Sequence, residues 1–405
     1  MISRLTIVTP WKQLATAAQQ GDYRYDTWLL GAVLLLLGIG LVMMGSASVS
    51  IADKLYHEPF YYIWRQLGYI SVALLLSWVV LHIPVEFWNR IGTQLLIGGV
   101  VLLMLVLLVG KQINGSVRWI DLGIFKIQPS ELVKLFVVVF VAGYMLRRGD
   151  EVRTSIKGFF KPMLIVGLIG ILLLLEPDFG SAVVISLTVL GMMFLGGVRL
   201  WQFGLLILMM SFGLMLLAFS SPERMERLTS FINPWADPFG GGFQLTQALI
   251  AFGRGEWFGV GLGGSVQKLF YLPEAHTDFL FAVISEETGL LGGVSVIALF
   301  IVVVYRALRI GHIALENGDR FAGYLAFGLG LLIGIQVLIN IGVNMGMLPT
   351  KGLTLPLMSY GGSSIVATCM ACAMILRVAH QYPDRNSPYT STGKNRRKRL
   401  KGKNH

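Results

Sequence analysis

Long apolar runs alternate with short polar connections along most of the chain. Runs able to cross roughly 30 Å of hydrocarbon begin near Thr27, Tyr62, Ile91, Gln128, Pro162, Ser181, Trp201, Asp278, Phe321 and Ser363. This pattern predicts an all-α polytopic membrane protein of about ten transmembrane helices. An even number of crossings puts both termini on one side. With a cytoplasmic N-terminus, about 22 Lys and Arg fall on inner segments and about nine on outer ones; dropping everything from Arg385 on still leaves about 14 against nine. The expected arrangement is therefore a cytoplasmic N-terminal extension (1–25), a membrane domain (26–380) and a basic, disordered cytoplasmic tail (381–405). One large extracytoplasmic loop (221–277) separates helices seven and eight. Within it, the amphipathic stretch from Gln244 to Phe252 predicts a half-helix lying in the membrane interface.

Composition narrows the class. A chain that is 55% hydrophobic and 14% charged carries more apolar surface than a water-soluble core can hide. The net charge of +11 would point to nucleic acid in a soluble protein, but "GKNRRKRLKGKNH" alone gathers seven of the 33 Lys and Arg. A basic tail of this kind suits anionic lipid, not nucleic acid. The first 25 residues are polar and mixed, so the first apolar helix is expected to serve as the insertion signal. Cys369 and Cys372 lie inside the last apolar run without polar ligands around them, which favours helix packing over redox or metal chemistry. The two halves of the chain share no repeat, which argues against an inverted-repeat transporter.

Polar residues within or beside the spans are the candidates for chemistry. Glu131 and Lys134 in "QPSELVK" stand three apart on one helical face, either as an ion pair or as part of a substrate cavity. Arg118 and Lys126, with Trp119, sit just before that helix as surface cations or as a site for an anionic head group. Glu176 and Asp178 in "LEPDFGSA" shape a tight connection, with Asp178 a candidate helix cap. "LPTKGLTLPLMSYGGSS" is a non-helical loop at membrane depth, a backbone that survives only when buried in protein or lining a cavity. Its Lys351, Ser359, Gly361, Gly362 and Ser363 would suit an oxygen-rich ligand, with packing and a Ser363 cap as the alternative. "GVGLGG" matches a dinucleotide fingerprint only formally, because no strand precedes it.

Asp278 stands at the entrance of the eighth span, capped by Thr277 in the simplest reading and occupying the first helical turn. Glu286 would lie about 12 Å deeper in a straight helix, too far for the roughly 5–9.5 Å of a two-carboxylate glycosidase. Glu287 points the opposite way, toward a neighbouring helix. His276 is a possible helper base or metal ligand without a second ligand at metal spacing. These groups share the outer side of the membrane, which predicts an outward-facing polar cavity for an amphiphile bearing phosphate and sugar.

"GSVRWIDLG", "QPSELVK", "EPDFGSA", "AHTDFLFAVISEETG" and "LPLMSYGGSS" occur in an order that resembles the SEDS family (shape, elongation, division and sporulation) from about Tyr25 to His380. "PTKGLTLP" and the two polar termini resemble its cell-division branch more than its elongation branch. The resemblance implies a peptidoglycan glycosyltransferase of the bacterial inner membrane that polymerises lipid II at the division septum. It further implies a class B penicillin-binding protein as cross-linking transpeptidase partner, together with other division proteins. It places the catalytic aspartate on Asp278, the loop cations on Arg118 and Lys126, and the buried pair on Glu131 and Lys134. An ordinary aspartate, with a pKa of about 3.9, would be ionised at neutral pH and ready to accept a proton from a sugar hydroxyl. The family's chemistry needs no certain cofactor, although one carboxylate with substrate phosphates is a common arrangement for magnesium or manganese. A lipid flippase and a non-catalytic scaffold of the division machinery are the competing readings.

Overall fold

The computed structural model describes residues 25–113, 116–121, 126–198, 201–202, 231–349 and 352–383, with four isolated positions between 203 and 230. The N-terminal extension, the basic tail, Lys351 and most of the span expected from Trp201 lie outside the described residues. The helices are α1 (Thr27–Tyr56), α2 (Tyr61–His82), α3 (Val85–Val109), α4 (Pro129–Thr154), α5 (Ile156–Leu175), α6 (Phe179–Leu195), α7 (Phe243–Gly255), α8 (Leu280–Glu316), α9 (Arg320–Asn344) and α10 (Gly362–Gln381). Among the described residues, eight helices are long and apolar enough to cross a membrane: α1 to α5 and α8 to α10, with Gly158–Leu175 as the crossing part of α5. The 17 residues of α6 are apolar but shorter. The amphipathic α7 is a helix where the sequence predicts a short amphipathic one, over Gln244 to Phe252.

Between α3 and α4 the chain forms a small antiparallel sheet that the hydrophobic pattern does not announce. Strands β1 (Lys111–Ile113), β2 (Ser116–Asp121) and β3 (Lys126–Ile127) run in the order β1-β2-β3, with Asp121 opposite Lys126. Pairing satisfies backbone groups that a free loop would leave exposed beside the bilayer.

Helix α9 is the hub. It packs against α4, α6, α8 and α10, while α10 also covers α2, and α3 lies along α4. Most of α4, α9 and α10 is buried, whereas α2, α3 and α5 present leucine, valine and tryptophan outward, as lipid-facing helices do. Close approach sets some of the small residues. A Cβ on Gly362 would stand 2.7 Å from the Tyr69 ring, so any larger residue there would push α10 off α2.

Two interruptions shape the outer half. The eighth span does not begin at Asp278 under a Thr277 cap; α8 becomes helical at Leu280, and the Thr277 hydroxyl bonds instead to the Glu274 carbonyl and carboxylate. The second interruption is Gly289, at φ 68° and ψ −167°, inside α8. The stretch from Leu290 to Glu316 alone suffices to cross the bilayer at about 1.5 Å per residue, which leaves residues 280–288 as a separate half-helix.

Broken backbone in this position needs partners, and the segment between α7 and α8 supplies them. Val260 and Gly261 donate to the carbonyls of Glu286 and Glu287, and the carbonyls of Glu256 and Trp257 accept from Leu290 and Leu291. The "GVGLGG" glycines serve this contact, since a Cβ on Gly259, itself at φ 80°, would collide with the Glu287 carbonyl oxygen. Side chains add to it. Buried Glu286 accepts from the Ser265 hydroxyl and the Val266 and Gln267 amides, and Arg254 on α7 comes within 3.3 Å. Glu287 reaches Ser46 on α1 and pairs with Lys268 at 2.7 Å.

Deeper in the bundle, Lys134 Nζ lies 2.8 Å from Glu131 and donates to Gln336 Oε1 at 2.9 Å. Removing one charge strands the other in an apolar core, so Lys134→Met is expected to cost about 3–5 kcal/mol, with most of that recovered by adding Glu131→Leu. Thermal unfolding midpoints in detergent micelles check this. A single variant as stable as the parent would show that the pair contributes nothing.

Candidate functional site

Three irregular segments meet at one end of the bundle: the strand-forming loop before α4, residues 274–279 before α8, and residues 352–361 before α10. Each exposes backbone polar groups that water cannot reach freely, and α9 provides for two of them. Gln336, Asn340 and Asn344 recur every four residues and so share one face of that helix. Gln336 donates to the Thr354 carbonyl at 3.2 Å, and Asn340 to the carbonyls of Leu353 and Asp278. Asn344 donates to the Asp278 carbonyl at 2.9 Å and accepts from the Ala282 amide, thereby capping α8 from a neighbouring helix. The Tyr360 amide donates to the His276 carbonyl and ties the second segment to the third.

The result is a cavity of about 950 Å³ with the Asp278 carboxylate in its wall. Arg118, Trp119, Lys126 and Gln128 line it from the strand loop, Tyr62, Arg65 and Tyr69 from α2, and Gly361, Gly362 and Ser363 from the start of α10. Arg118 is braced by the Glu176 and Pro177 carbonyls, to which its Nε and a terminal nitrogen donate. Around the site of a Cβ on Gly352, an Asp278 oxygen lies 3.0 Å away and an Arg118 nitrogen 4.0 Å away. The glycine thus leaves open the space between carboxylate and guanidinium.

The electrostatics differ from those of an ordinary surface aspartate. Burial pushes the Asp278 carboxyl up to about 7, with Glu274 and Asp178 acting in the same direction and Arg118 opposing them. Such a group is charged above neutrality and protonated below it, which suits a proton acceptor working near pH 7. Glu176 is pushed up to about 8 by burial and by Asp178, against Arg118, and neither of its carboxyl oxygens has a hydrogen-bond partner; it is buried behind Arg118, which its backbone carbonyl holds. His276 is held below its usual range by burial, against Glu274, and its ring packs 4.8 Å from Tyr62. It is a neutral packing group beside the cavity.

Of the residues singled out from sequence, the structure brings Arg118, Lys126, Asp278, Gly361, Gly362, Ser363 and the Glu131 end of the ion pair to one cavity. Ser359 does not join them. It is buried, and its hydroxyl accepts from the Leu355 amide, so it shapes the turn. Nor does Ser363 cap α10, because Gly361 occupies the cap position without a side-chain bond; the Ser363 hydroxyl accepts from the Gln128 amide and fastens the strand loop. Asp178 does cap α6, accepting from Ser181. Lys351 lies outside the described residues. Sequence reasoning missed Asn340 and Asn344, although two amides one turn apart in the apolar "LINIGVN" were a usable signal. Donors in the cavity fit a divalent ion that arrives with substrate phosphates, which needs only one or two protein carboxylates; among the described residues no three His, Cys, Asp or Glu converge as a resident cage.

A family model described as "Cell cycle protein" and covering FtsW, RodA and SpoVE matches residues 27–383. The chain belongs to this family. A relative from Nitrosococcus halophilus named "Probable peptidoglycan glycosyltransferase FtsW" is 57% identical over 87% of this chain and 92% of its own length. One of the same name from Coxiella burnetii is 52% identical over 89% and 97%. Among solved structures, a chain from a peptidoglycan synthase complex is 30% identical with a TM-score of 0.72, covering 89% of this chain and 99% of its own. Rod shape determining protein RodA of Thermus thermophilus is 27% identical with a TM-score of 0.66, covering 90% and 99%. The chain is thus a helical, multi-pass membrane protein of the SEDS type that its motifs resemble.

The raised carboxyl is directly measurable. In infrared difference spectra the protonated-carboxyl stretch that Asp278→Asn removes is expected to vanish from the wild type as pH rises, with a midpoint near 7. A midpoint near 4, the ordinary aspartate value, would refute the desolvated environment.

Proposed function

We infer that this chain is a peptidoglycan glycosyltransferase, joining lipid II units into glycan strands at the outer face of the bacterial inner membrane during septum formation. The observation that carries this reading is Asp278, a carboxylate whose pKa is raised to about 7, in the wall of an open cavity at one end of the bundle that Arg118, Lys126 and Arg65 also line. The relatives' names point to the same activity.

The geometry suits one displacement. The ionised Asp278 carboxylate accepts the proton of the acceptor's sugar hydroxyl as that oxygen bonds to the donor's anomeric carbon. The bond from that carbon to the donor's lipid pyrophosphate breaks in the same step, and the leaving oxygens gather negative charge. Arg118 and Lys126 stabilise that charge from the cavity wall. Attack and departure on opposite faces invert the anomeric centre, and no covalent sugar intermediate is required. Lys351, which lies outside the described residues, is kept from the sequence as a further candidate cation for the pyrophosphate, and a magnesium or manganese ion bound to the substrate phosphates would add further charge stabilisation.

The same reading includes ten crossings with both termini in the cytoplasm, the additional ones formed by α6 and by the span from Trp201. It also includes a class B penicillin-binding protein as partner, since a structural neighbour comes from a peptidoglycan synthase complex.

Purified lipid II, supplied to this protein with its cognate penicillin-binding protein, is expected to yield glycan strands. Asp278→Asn should reduce the rate by about 10²–10⁴-fold and Arg118→Ala by about 10²-fold. Equal polymer from wild type and Asp278→Asn would remove the proposed base. Absence of polymer from both, with the partner's cross-linking activity verified, would favour a flippase or scaffold. Activity retained in excess chelator would dispense with the metal ion.

A further inference from the structure

The cavity has two chemically distinct sides. Two of its cations, Arg118 and Lys126, come from the strand loop, Arg118 reaching toward Gly352. On the His276 side stands a wall of tyrosines: Tyr56 from the last turn of α1, Tyr61 and Tyr62 from the first turn of α2, and Tyr360 from the loop before α10. Tyr56 and Tyr61 stack at 3.9 Å with their planes 16° apart, while Tyr62 meets Tyr61 edge-on at 5.4 Å and Tyr360 edge-on at 5.0 Å. The Arg65 guanidinium lies 5.4 Å from the Tyr61 ring centre, and its Nη1 donates to the Tyr61 hydroxyl.

Tyrosines that only anchored the bundle at the bilayer surface would face outward. All four of these line the cavity, and Tyr56 remains 47% exposed at its edge. An array of ring faces and phenol hydroxyls beside a carboxylate matches a pyranose, whose C–H face carries the partial positive charge that a ring face attracts and whose rim offers hydroxyls. Direction follows from the displacement. The nucleophile must approach the anomeric carbon opposite the leaving group, and the leaving pyrophosphate belongs with Arg118 and Lys126. The acceptor therefore belongs on the part of the cavity not occupied by those cations, and the tyrosines gather at its His276 side.

We propose that Tyr56, Tyr61, Tyr62 and Tyr360 form the acceptor-saccharide subsite, with Arg65 placed for the phosphate attached to that sugar. The subsite rests on the glycosyltransferase reading for its role but not for its chemistry. Its ligand class is an N-acetylated disaccharide, and the rings supply affinity while Asp278 supplies the proton transfer.

Two readouts test it on the full-length protein in detergent. The first is saturation-transfer NMR with the free N-acetylglucosaminyl-N-acetylmuramic acid disaccharide as probe. The second is the KM and kcat for lipid II in the polymerisation assay with the penicillin-binding partner. Tyr56→Leu and Tyr61→Leu are compared with Tyr56→Phe and Tyr61→Phe, and the exposed Tyr56 position keeps the test usable should Tyr61→Leu misfold. Expected are saturation transfer to the sugar C–H protons in wild type, its loss in the Leu variants, and a KM raised about tenfold with kcat changed far less. The Phe variants, which keep the ring, should restore both. Leu variants that bind disaccharide and polymerise with wild-type KM would overturn the subsite, as would absence of transfer in the wild type. A wild type that binds the disaccharide through these rings yet makes no polymer would uphold the wall as a saccharide site and overturn the transferase reading beneath it.

Discussion

Three amides on one helix hold the irregular end of this bundle in place. Gln336, Asn340 and Asn344 project from α9 into the layer where two irregular segments run, and they take up the carbonyls of Thr354, Leu353 and Asp278. A buried backbone group left without a partner costs about 1–3 kcal/mol, more than a marginally stable loop can bear several times over. The stripe therefore decides where non-helical backbone is permitted at this depth. Asp278 is placed through its main chain, which leaves its carboxylate free for the cavity. At its inner end the stripe joins the Glu131–Lys134 pair through Gln336, so the ion pair and the outer loops form one polar network inside an apolar bundle.

The break at Gly289 completes the arrangement. A continuous helix would carry the acidic stretch from Glu286 to Glu287 straight into the bilayer. Interrupted, the half-helix is plugged by residues 256–268 of the outer loop, which answer its freed backbone groups and both glutamates. Those carboxylates are committed to structure, and of the carboxylates that line the cavity, Glu131, Glu274 and Asp278, the last stands across Gly352 from Arg118. Burial then supplies its chemistry, because desolvation raises its proton affinity to the range where it can both accept and release a proton near neutral pH.

Much of this was legible in the chain. Apolar runs marked the described spans to within a few residues, because a slab of roughly 30 Å imposes a length that few other constraints imitate. Asp178 as a cap and a short amphipathic helix at α7 follow from local rules and stand in the structure. Where reading failed, the deciding contacts were distant. The start of α8 depends on Asn344, 62 residues from Ala282, so the local Thr277 cap lost to a tertiary one. Ser359 resembled a ligand group from its company in "SYGGSS", yet its hydroxyl is claimed by the Leu355 amide within the same turn. The pKa of a solvated aspartate, about 3.9, misjudged Asp278 because burial is a property of the assembled cavity. The strand pairing of residues 111–127 left no alternating pattern strong enough to stand out beside the spans.

The central claim is that Asp278 acts as a base in a single displacement and does not itself bond to sugar. Rapid-quench mass spectrometry of the enzyme during the first turnover on lipid II, with the anomeric configuration of the first new linkage determined in the same samples, tests it most directly. A base in this position leaves the protein unmodified at every time point and the reacting carbon inverted. A sugar adduct on the Asp278 peptide that forms and decays in step with product, with retention at that carbon, would contradict it.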